Sequence, residues 1–194
     1  MHVATDWPGY FPNGPQVVRL LIAAGADPNA PTAGGRQPET PLHWAASNDD
    51  SDVVAELING GADIETPGGS IGTPLANAVG YGCWHAARLL AERGAKIDTL
   101  WIAAALGKMP LVRELLDADP EPAEDDLNEA FWQACHGGQR RVAEYLLARG
   151  ADINATPGYS GQTPLDIAAS PDTRRELLHD YLRGQGALTS ADNT

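Results

Sequence analysis

The sequence predicts an all-α solenoid of about six stacked helix–turn–helix units, the first incomplete, with short hairpin fingers between units. One seven-residue phrase supports this class because it recurs: "TPLHWAA" begins at Thr40, "TPLANAV" at Thr73 and "TPLDIAA" at Thr163. Two altered copies keep the same rhythm, "DTLWIAA" from Asp98 and "EAFWQAC" from Glu129. Such repetition indicates stacked repeats rather than a single globular core.

A second recurring phrase ends each helical run and gives the period. It centres on a glycine or its substitute, at Gly25, Gly61, Gly94, Asp119 and Gly150. The intervals between these positions are 36, 33, 25 and 31 residues. The period is therefore about 33 residues, with one markedly shortened unit.

The recurring "TPLHWAA" phrase has the properties of a first helix. Thr40 can cap the helix, and Pro41 suits its first position, where a missing N–H costs nothing. Leu42, Ala45 and Ala46 then follow at i, i+3 and i+4. This spacing predicts an apolar stripe whose small alanines let neighbouring helices approach closely.

A second helix and a finger complete the unit. Val53, Val54, Leu57 and Ile58 form another apolar stripe, and Gly61 can end that helix in the left-handed conformation. The Pro/Gly-rich stretch "ADIETPGGSIG" that follows suits a projecting turn.

The helices must stabilise one another because each spans only about ten residues, too few to persist alone. We therefore expect the units to stack and to bury one leucine slot of the second helices between layers. The residues in this slot are Leu57, Leu90, Leu115 and Leu146.

The pattern resembles the ankyrin-repeat family. The resemblance rests on Thr-Pro-Leu-His at 40–43, the two alanines that follow, the paired aliphatics and Gly-Ala-Asp at 61–63. It covers residues 1–187, for which we expect one domain, followed by a disordered tail over 188–194. The resemblance implies a curved stack whose finger tips and first helices line a concave, protein-binding surface.

The N-terminal unit is irregular. Met1-His2-Val3-Ala4 resembles the end of a first helix whose beginning is absent, which leaves open whether Met1 is the natural start. The following turn is enlarged and holds Trp7, Tyr10 and Phe11. These three rings either fold back over the uncovered end of the stack or bind a partner.

Trp101 and Trp132 stand where His43 stands in the intact motif. In the ankyrin family this histidine ties one unit to its neighbour near the base of the fingers. We expect no finger between Gly94 and Trp101, and we expect both indoles to be largely buried, since a tryptophan can fill about 200 Å² of uncovered surface. The alternative is that the two rings line a pocket.

The composition limits the partners. A formal net charge of −13 argues against nucleic acid and anionic membranes, and it suits a basic partner protein. The two cysteines have no disulfide or zinc spacing, and no apolar stretch is long enough to span a membrane. A cytoplasmic monomer without metal or cofactor is the expectation.

Candidate catalytic residues fail on geometry. Cys135 and His136 are adjacent, so on a helix their side chains diverge by about 100° and cannot face each other across a substrate. Cys83 and His85 lack further metal ligands nearby. The acidic run from Asp117 to Asp126 is either a cation or docking patch or, more simply, a solvated loop that favours the start of the next helix.

We therefore predict a non-enzymatic protein-interaction module that binds its partner with the ends of the first helices, the finger tips and the enlarged first turn. Two alternatives stay open: an acidic, immunity-type neutraliser of a basic toxic enzyme, and a small-molecule binder or enzyme that uses the tryptophan-lined gap. The candidate partner-binding residues are Trp7, Tyr10, Phe11, Ser47, Asn48, Tyr81, Leu106, His136 and Tyr159.

Overall fold

The computed structural model describes residues 1–6, 13–34, 38–169 and 176–192. In these ranges the chain forms helices that are joined by turns and loops. The only β pairing within these ranges is a bridge between Gly68 and Gly72, so the predicted all-α class is confirmed. A 3₁₀ helix spans His2–Thr5. The α-helices are α1 (Gly14–Ala23), α2 (Pro41–Ser47), α3 (Ser51–Asn59), α4 (Pro74–Gly80), α5 (Trp84–Glu92), α6 (Leu100–Ala105), α7 (Met109–Leu116), α8 (Glu124–His136), α9 (Arg140–Ala148), α10 (Pro164–Ala168) and α11 (Glu176–Gly184).

The chain forms two compact parts, each made of several repeats. From here on, unit 1 means residues Met1–Lys96 and unit 2 means residues Ile97–Thr194, and a single helix–turn–helix element is called a repeat. In unit 1, first helix α2 packs on first helix α4, and second helix α3 packs on α1 and α5. In unit 2, first helices α6, α8 and α10 pack in succession. Each unit is thus a stack of helix pairs, and the single domain over 1–187 stays a prediction. Trp7, Tyr10 and Phe11 lie outside the described residues.

Side chains cap the first helices as the recurring phrase predicts. The Thr40 N–H donates to His43 Nδ1 (3.1 Å), and Thr73 Oγ1 accepts the Ala76 N–H (3.3 Å). In α10 the cap is reciprocal, because Thr163 Oγ1 accepts the Asp166 N–H (3.2 Å) while Asp166 Oδ2 accepts the Thr163 N–H (3.1 Å). These bonds satisfy backbone donors that a helix start would otherwise leave unpaired.

Successive repeats are linked by the same type of hydrogen bond. In each case a side-chain oxygen accepts the N–H of the residue two positions after the helix-ending glycine of the next repeat. The pairs are Asn29–Asp63 (2.7 Å) and Glu65–Lys96 (2.8 Å) in unit 1, and Asn128–Asp152 (2.7 Å) and Asn154–Leu188 (2.8 Å) in unit 2.

The last link shows that the repeat extends to the C-terminal segment. Leu188 donates to Asn154, the Ser190 N–H donates to Asp166 Oδ2 (2.9 Å), and Thr189 Oγ1 donates to Asp192 Oδ2 (2.6 Å). Residues 188–192 make these contacts, and the disordered tail over 188–194 stays a prediction. Residues 193–194 lie outside the described part of the chain.

The leucine slot is buried at three of its four positions. Leu57, Leu90 and Leu146 are fully buried, as predicted. In α7, however, Leu115 is only half-buried, and the buried residues are Val112 and Leu116. The prediction for Leu115 is therefore wrong: Val112 keeps the buried slot that Val54 has in α3, but the buried leucine of α7 is Leu116, one residue after the predicted slot.

The shift in α7 follows from how the helix ends. After α3, α5 and α9, a glycine with φ of 91°, 94° or 102° turns the chain. The next residue's N–H then bonds back to the slot leucine's carbonyl oxygen, as Ala62 does to Leu57 (2.9 Å). Asp119 replaces this glycine after α7, and it does not adopt positive φ. Without that closure Leu115 is left at the side of a groove, whereas Leu116 enters the core.

Fingers are present after α3 and α9 and absent after α5. Residues 62–72 form a hairpin closed by the Gly68–Gly72 bridge, and a turn joins Pro157 to Ser160 (3.0 Å) in the finger of unit 2. No strand or bridge lies between Gly94 and Trp101, a stretch that is fully described, so the predicted loss of this finger is confirmed. After α7 the chain instead enters α8 early, at Glu124, five residues before the position that matches Thr40.

Candidate functional site

Trp132 takes over the inter-repeat hydrogen bond that His43 makes. His43 Nε2 lies 3.0 Å from the carbonyl oxygen of Gly72, and Trp132 Nε1–H donates to that of Gln162 (2.8 Å). Gly72 and Gln162 each precede the threonine that caps the next first helix. With 3% of its surface exposed, Trp132 is buried as predicted. We expected Trp132 to fill surface that a missing finger leaves uncovered, and this reason is wrong for Trp132, because the finger after α9 is present and its Gln162 accepts the indole N–H.

His43 is fully buried and neutral. Its Nδ1 accepts the Thr40 N–H, so the ring proton is on Nε2, which donates to Gly72. Burial lowers the pKa of His43, and this effect outweighs the opposing effects of the Gly72 carbonyl and the nearby Glu39 carboxylate. The histidine thus stabilises the repeat junction only in its neutral form.

We expect unit 1 to lose stability in mild acid. Because the pKa of His43 is lower in the folded state, the unfolded chain binds a proton that the folded chain does not. The free energy of unfolding should be fully retained above about pH 6.5 and should fall as the pH drops from there toward the depressed folded pKa. Urea midpoints of the parent chain and His43→Gln, measured between about pH 7.5 and 5.5, test this. The two midpoints should converge as the pH falls; parallel curves would contradict the assignment.

Asn77 in unit 1 and Gln133 in unit 2 are buried amides at the same repeat position, and each pairs with a carboxylate, from the preceding repeat in unit 1 and from the same helix in unit 2. In unit 2, Gln133 Nε2 donates to Glu129 Oε1 (3.1 Å); in unit 1, Asn77 Nδ2 donates to Glu39 Oε1 (3.2 Å). Both amides are at most 2% exposed. Sequence reasoning missed these four residues, although polar side chains directly after the His43 position were a usable signal.

Tyr159, at the finger of unit 2, is attached to this network. Its hydroxyl donates to Glu129 Oε1 (2.5 Å) and accepts from Gln133 Nε2 (3.1 Å), and its ring lies edge-on to Trp132 with centroids 6.0 Å apart. Burial of the hydroxyl, together with the Glu129 carboxylate, raises the pKa of Tyr159, so the phenol remains a donor at neutral pH. Tyr159 is nevertheless 67% exposed. Its hydroxyl is therefore held by hydrogen bonds while its ring remains accessible to a partner.

Two clefts flank the first half of α8. The cleft on the finger side has a volume of about 390 Å³ and is lined by Asp125, Asn128, Glu129 and residues 155–159. The groove on the other side has a volume of about 450 Å³, and its walls include Trp101 and Leu115. Glu129 lines both.

The two predicted tryptophan positions therefore differ in environment. Trp132 fills the core, whereas Trp101 is only half-buried and lines the groove. The expectation that both indoles are largely buried is wrong for Trp101, because no finger covers α6. The groove beside Trp101 is not lined by Trp132.

The remaining predicted binding residues fall into two groups. Tyr81 in unit 1 and Tyr159 in unit 2 are 59% and 67% exposed, whereas the half-buried members are Ser47, Asn48, Leu106 and His136. In unit 1, Asn48 Nδ2 donates to the Thr5 carbonyl oxygen (3.4 Å), and Ser47 Oγ donates to that of His43 (2.9 Å). In unit 2, the His136 ring lies 5.1 Å from that of Trp132, so His136 joins the Tyr159 cluster.

The cysteines are placed as packing residues. Cys135 is fully buried, and Cys83 donates to the Ser47 carbonyl oxygen (3.1 Å). Burial, followed by the Asp49 carboxylate, raises the pKa of Cys83 to about 11, so little thiolate is present at neutral pH. Within the described ranges no group of three His, Cys, Asp or Glu side chains is placed to hold a metal ion, and no helix is long and apolar enough to cross a membrane.

Two solved structures to which this chain is similar are ankyrin-repeat domains. The human ASB11 ankyrin repeat domain is 21% identical, with a TM-score of 0.49 over 92% of this chain and 86% of that chain. The ankyrin repeat domain of Bcl-3 is 29% identical, with a TM-score of 0.45 over 88% of this chain and 77% of that chain.

Curated relatives share sequence over most of this chain. The mouse (Mus musculus) B-cell lymphoma 3 protein homolog is 31% identical over 159 residues, which cover 80% of this chain and 30% of that protein. The human (Homo sapiens) ankyrin repeat and SOCS box protein 16 is 32% identical over 190 residues, which cover 91% of this chain and 36% of that protein. The chain thus spans about a third of the length of these relatives.

The family itself is shown by a model described as ankyrin repeats (3 copies), which matches residues 2–99 and again residues 100–185. These two matches meet close to the boundary between units 1 and 2. Because they cover nearly the whole sequence and agree with the capped, glycine-ended helix pairs, the chain belongs to the ankyrin-repeat family.

Proposed function

We propose that the chain is a non-enzymatic protein-interaction module that is monomeric and cytoplasmic. It binds a partner protein with residues of its fingers and residues at the ends of its first helices. The observation that supports this most directly is Tyr159, an exposed ring whose hydroxyl is fixed by Glu129 and Gln133. Tyr81 supplies a second exposed aromatic side chain, at the end of α4 in unit 1. Aromatic anchors of this kind dominate the binding energy of protein interfaces.

Pre-organisation favours binding at Tyr159. A side chain that is already held in one orientation loses less conformational entropy when a partner orders it, so more of the contact energy appears as affinity. The amide beneath it is buried and hydrogen-bonded, which keeps the donor and acceptor pattern of this surface constant.

The properties of the cysteines support a binding role rather than catalysis. Cys83 is mostly protonated at neutral pH, and Cys135 is fully buried beside His136 on the same helix. Neither thiol is placed as a nucleophile with a facing base. Cys83 and Cys135 are buried and are not joined in a disulfide, which also suits a reducing compartment such as the cytoplasm.

Site-specific photo-crosslinking tests the proposed surface. Benzoylphenylalanine is placed at Tyr81 or Tyr159, and at the exposed second-helix positions Arg88 and Arg141 as controls in the same units. We expect a cellular partner protein to be captured from the tyrosine positions and not from the arginine positions. Its affinity for the purified chain should fall about tenfold or more in Tyr159→Ala. Equal capture at all four positions, with unchanged affinity, would contradict the proposal.

Of the alternatives, neutralisation of a basic toxic enzyme uses the same surface and the same negative charge, so it specifies the partner rather than a different mode of action. A basic hydrolase identified as the cross-linked protein would select it. The small-molecule alternative loses its original basis, because Trp132 is in the core and only Trp101 remains at an open groove.

A further inference from the structure

We propose that the groove beside Trp101 binds an extended segment of the partner protein that carries lysine or arginine. This inference rests on the proposed function, since it names the chemistry of the partner. It concerns unit 2 alone and a site distinct from the exposed Tyr159 ring. The groove contains none of the partner-binding residues that the sequence suggested.

The groove is an apolar trough without the finger found in other repeats. Its apolar walls are Leu100, Trp101, Leu115, Pro120 and Pro122, and its volume is about 450 Å³. Ligand sites in proteins commonly have volumes of about 300–1,000 Å³, so the trough can accept a side chain and part of a peptide backbone. The two prolines donate no backbone N–H, so this wall presents apolar rings and carbonyl groups.

Trp101 is available to a ligand in a way that Trp132 is not. The Trp132 indole N–H donates to Gln162, whereas the Trp101 indole N–H has no hydrogen-bond partner among the described residues. An extended peptide can offer a carbonyl oxygen to the Trp101 donor, and a cationic side chain is attracted to the face of an indole.

The charge around the trough determines the occupant. Glu121, Asp126 and Glu129 line it, and no lysine or arginine does. Within the described ranges, the ion pairs of the acidic run are limited to that between Asp117 and Arg149 (3.3 Å). A cationic segment would therefore meet carboxylates that have no basic partner, next to an open aromatic face. This combination favours arginine or lysine over a neutral or acidic peptide.

Other occupants fit less well. Nucleic acid would bring phosphates to a wall of carboxylates. A second copy of this chain, with a net charge of −13, would oppose association by like-charge repulsion.

Indole N–H resonances of the 194-residue chain, labelled with ¹⁵N, provide the test. The probe is a short synthetic peptide of alternating arginine, glycine and leucine, and the comparison peptide has glutamine in place of arginine. Trp101→Phe assigns the Trp101 signal. We expect the arginine peptide to shift this signal in a saturable manner while the Trp132 signal, held by Gln162, stays in place.

A charge-matched pair of variants separates local from general electrostatics. Glu121→Gln with Asp126→Asn removes two carboxylates from the groove, and asparagine can still accept the Ala123 N–H that Asp126 holds (3.2 Å). Asp52→Asn with Glu92→Gln removes the same charge from exposed helical positions in unit 1. We expect affinity for the arginine peptide to fall about tenfold in the groove variant and to change little in the control.

The inference would be overturned by equal losses in the two double variants, by equal binding of the glutamine peptide, or by a Trp101 signal that does not respond. A Trp101 shift that depends on protein concentration without peptide would instead indicate self-association through the groove, and would also overturn it. If Trp101 is silent while the cross-links at Tyr159 persist, the groove inference fails and the proposed function stands. If Trp101 responds but cross-linking is equal at all four positions, the proposed binding surface fails.

Discussion

Phe131→Ala is expected to lower the free energy of unfolding of unit 2 by about 3–5 kcal/mol, the largest effect of any single truncation considered. Phe131 lies in α8, packs in the core of unit 2 and is fully buried. Its helix contacts first helices α6 and α10 and second helix α9. A cavity at this point would remove contacts from several elements at once, and the short helices around it have little stability of their own.

A matched pair of variants makes the Phe131 measurement specific. The other repeats place leucine in this slot, at Leu42, Leu75, Leu100 and Leu165. Phe131→Leu should therefore cost less than about 1.5 kcal/mol. Leu177→Ala, at a residue that is 72% exposed, should change little. Urea unfolding, combined with amide hydrogen exchange to show which unit opens, supplies the values; a Phe131→Ala cost no larger than that of Leu177→Ala would contradict the assignment.

The repeat pattern in the sequence was sufficient to predict the fold class because each signal is local. Threonine before proline predicts a capped first helix, and a glycine four residues after the slot leucine predicts the end of the second. Thr163 and Gly150 behave in this way in the structure. Such local signals are sufficient to predict where each helix begins and ends as long as the neighbouring repeats carry the same signals.

The candidate site could be predicted only in part because it depends on contacts between repeats. The sequence singled out Tyr159 as a candidate, but the hydrogen bonds of Tyr159 to Glu129 and Gln133 join residues up to 30 positions apart. The Trp132–Gln162 bond has the same separation. A single sequence shows which side chains are polar and does not show which of them meet across two helices and a finger.

The early start of α8 was also beyond the sequence pattern. The acidic run was expected to favour the start of the helix, and Glu124, Asp125 and Asp126 do occupy its first turn. What the pattern missed is that this helical extension takes the place of a finger, so that Asn128 makes the link to Asp152 that finger residues make elsewhere. A helix and a hairpin can therefore supply the same inter-repeat hydrogen bond, although their backbone conformations differ.

Leu116→Ala is expected to cost about 2–5 kcal/mol, whereas Leu115→Ala should cost less than about half of that. Both residues lie in α7, one position apart. Leu116 is 4% exposed within the core of unit 2, and Leu115 is half-buried at the groove. Truncation of Leu116 leaves a cavity, whereas truncation of Leu115 mainly widens a surface that water already reaches. Urea midpoints of the two variants give the comparison directly.

The same two variants connect stability to the proposed groove. Leu115→Ala removes part of the apolar wall that faces Trp101, so it should weaken the arginine peptide several-fold while the fold is retained. Leu116→Ala does not alter this wall and, at a temperature where it remains folded, should bind the peptide like the parent chain. If Leu115→Ala is the more destabilising of the two, then α7 has the register of the other second helices, Leu115 belongs in the core, and the wall opposite Trp101 is not the one described.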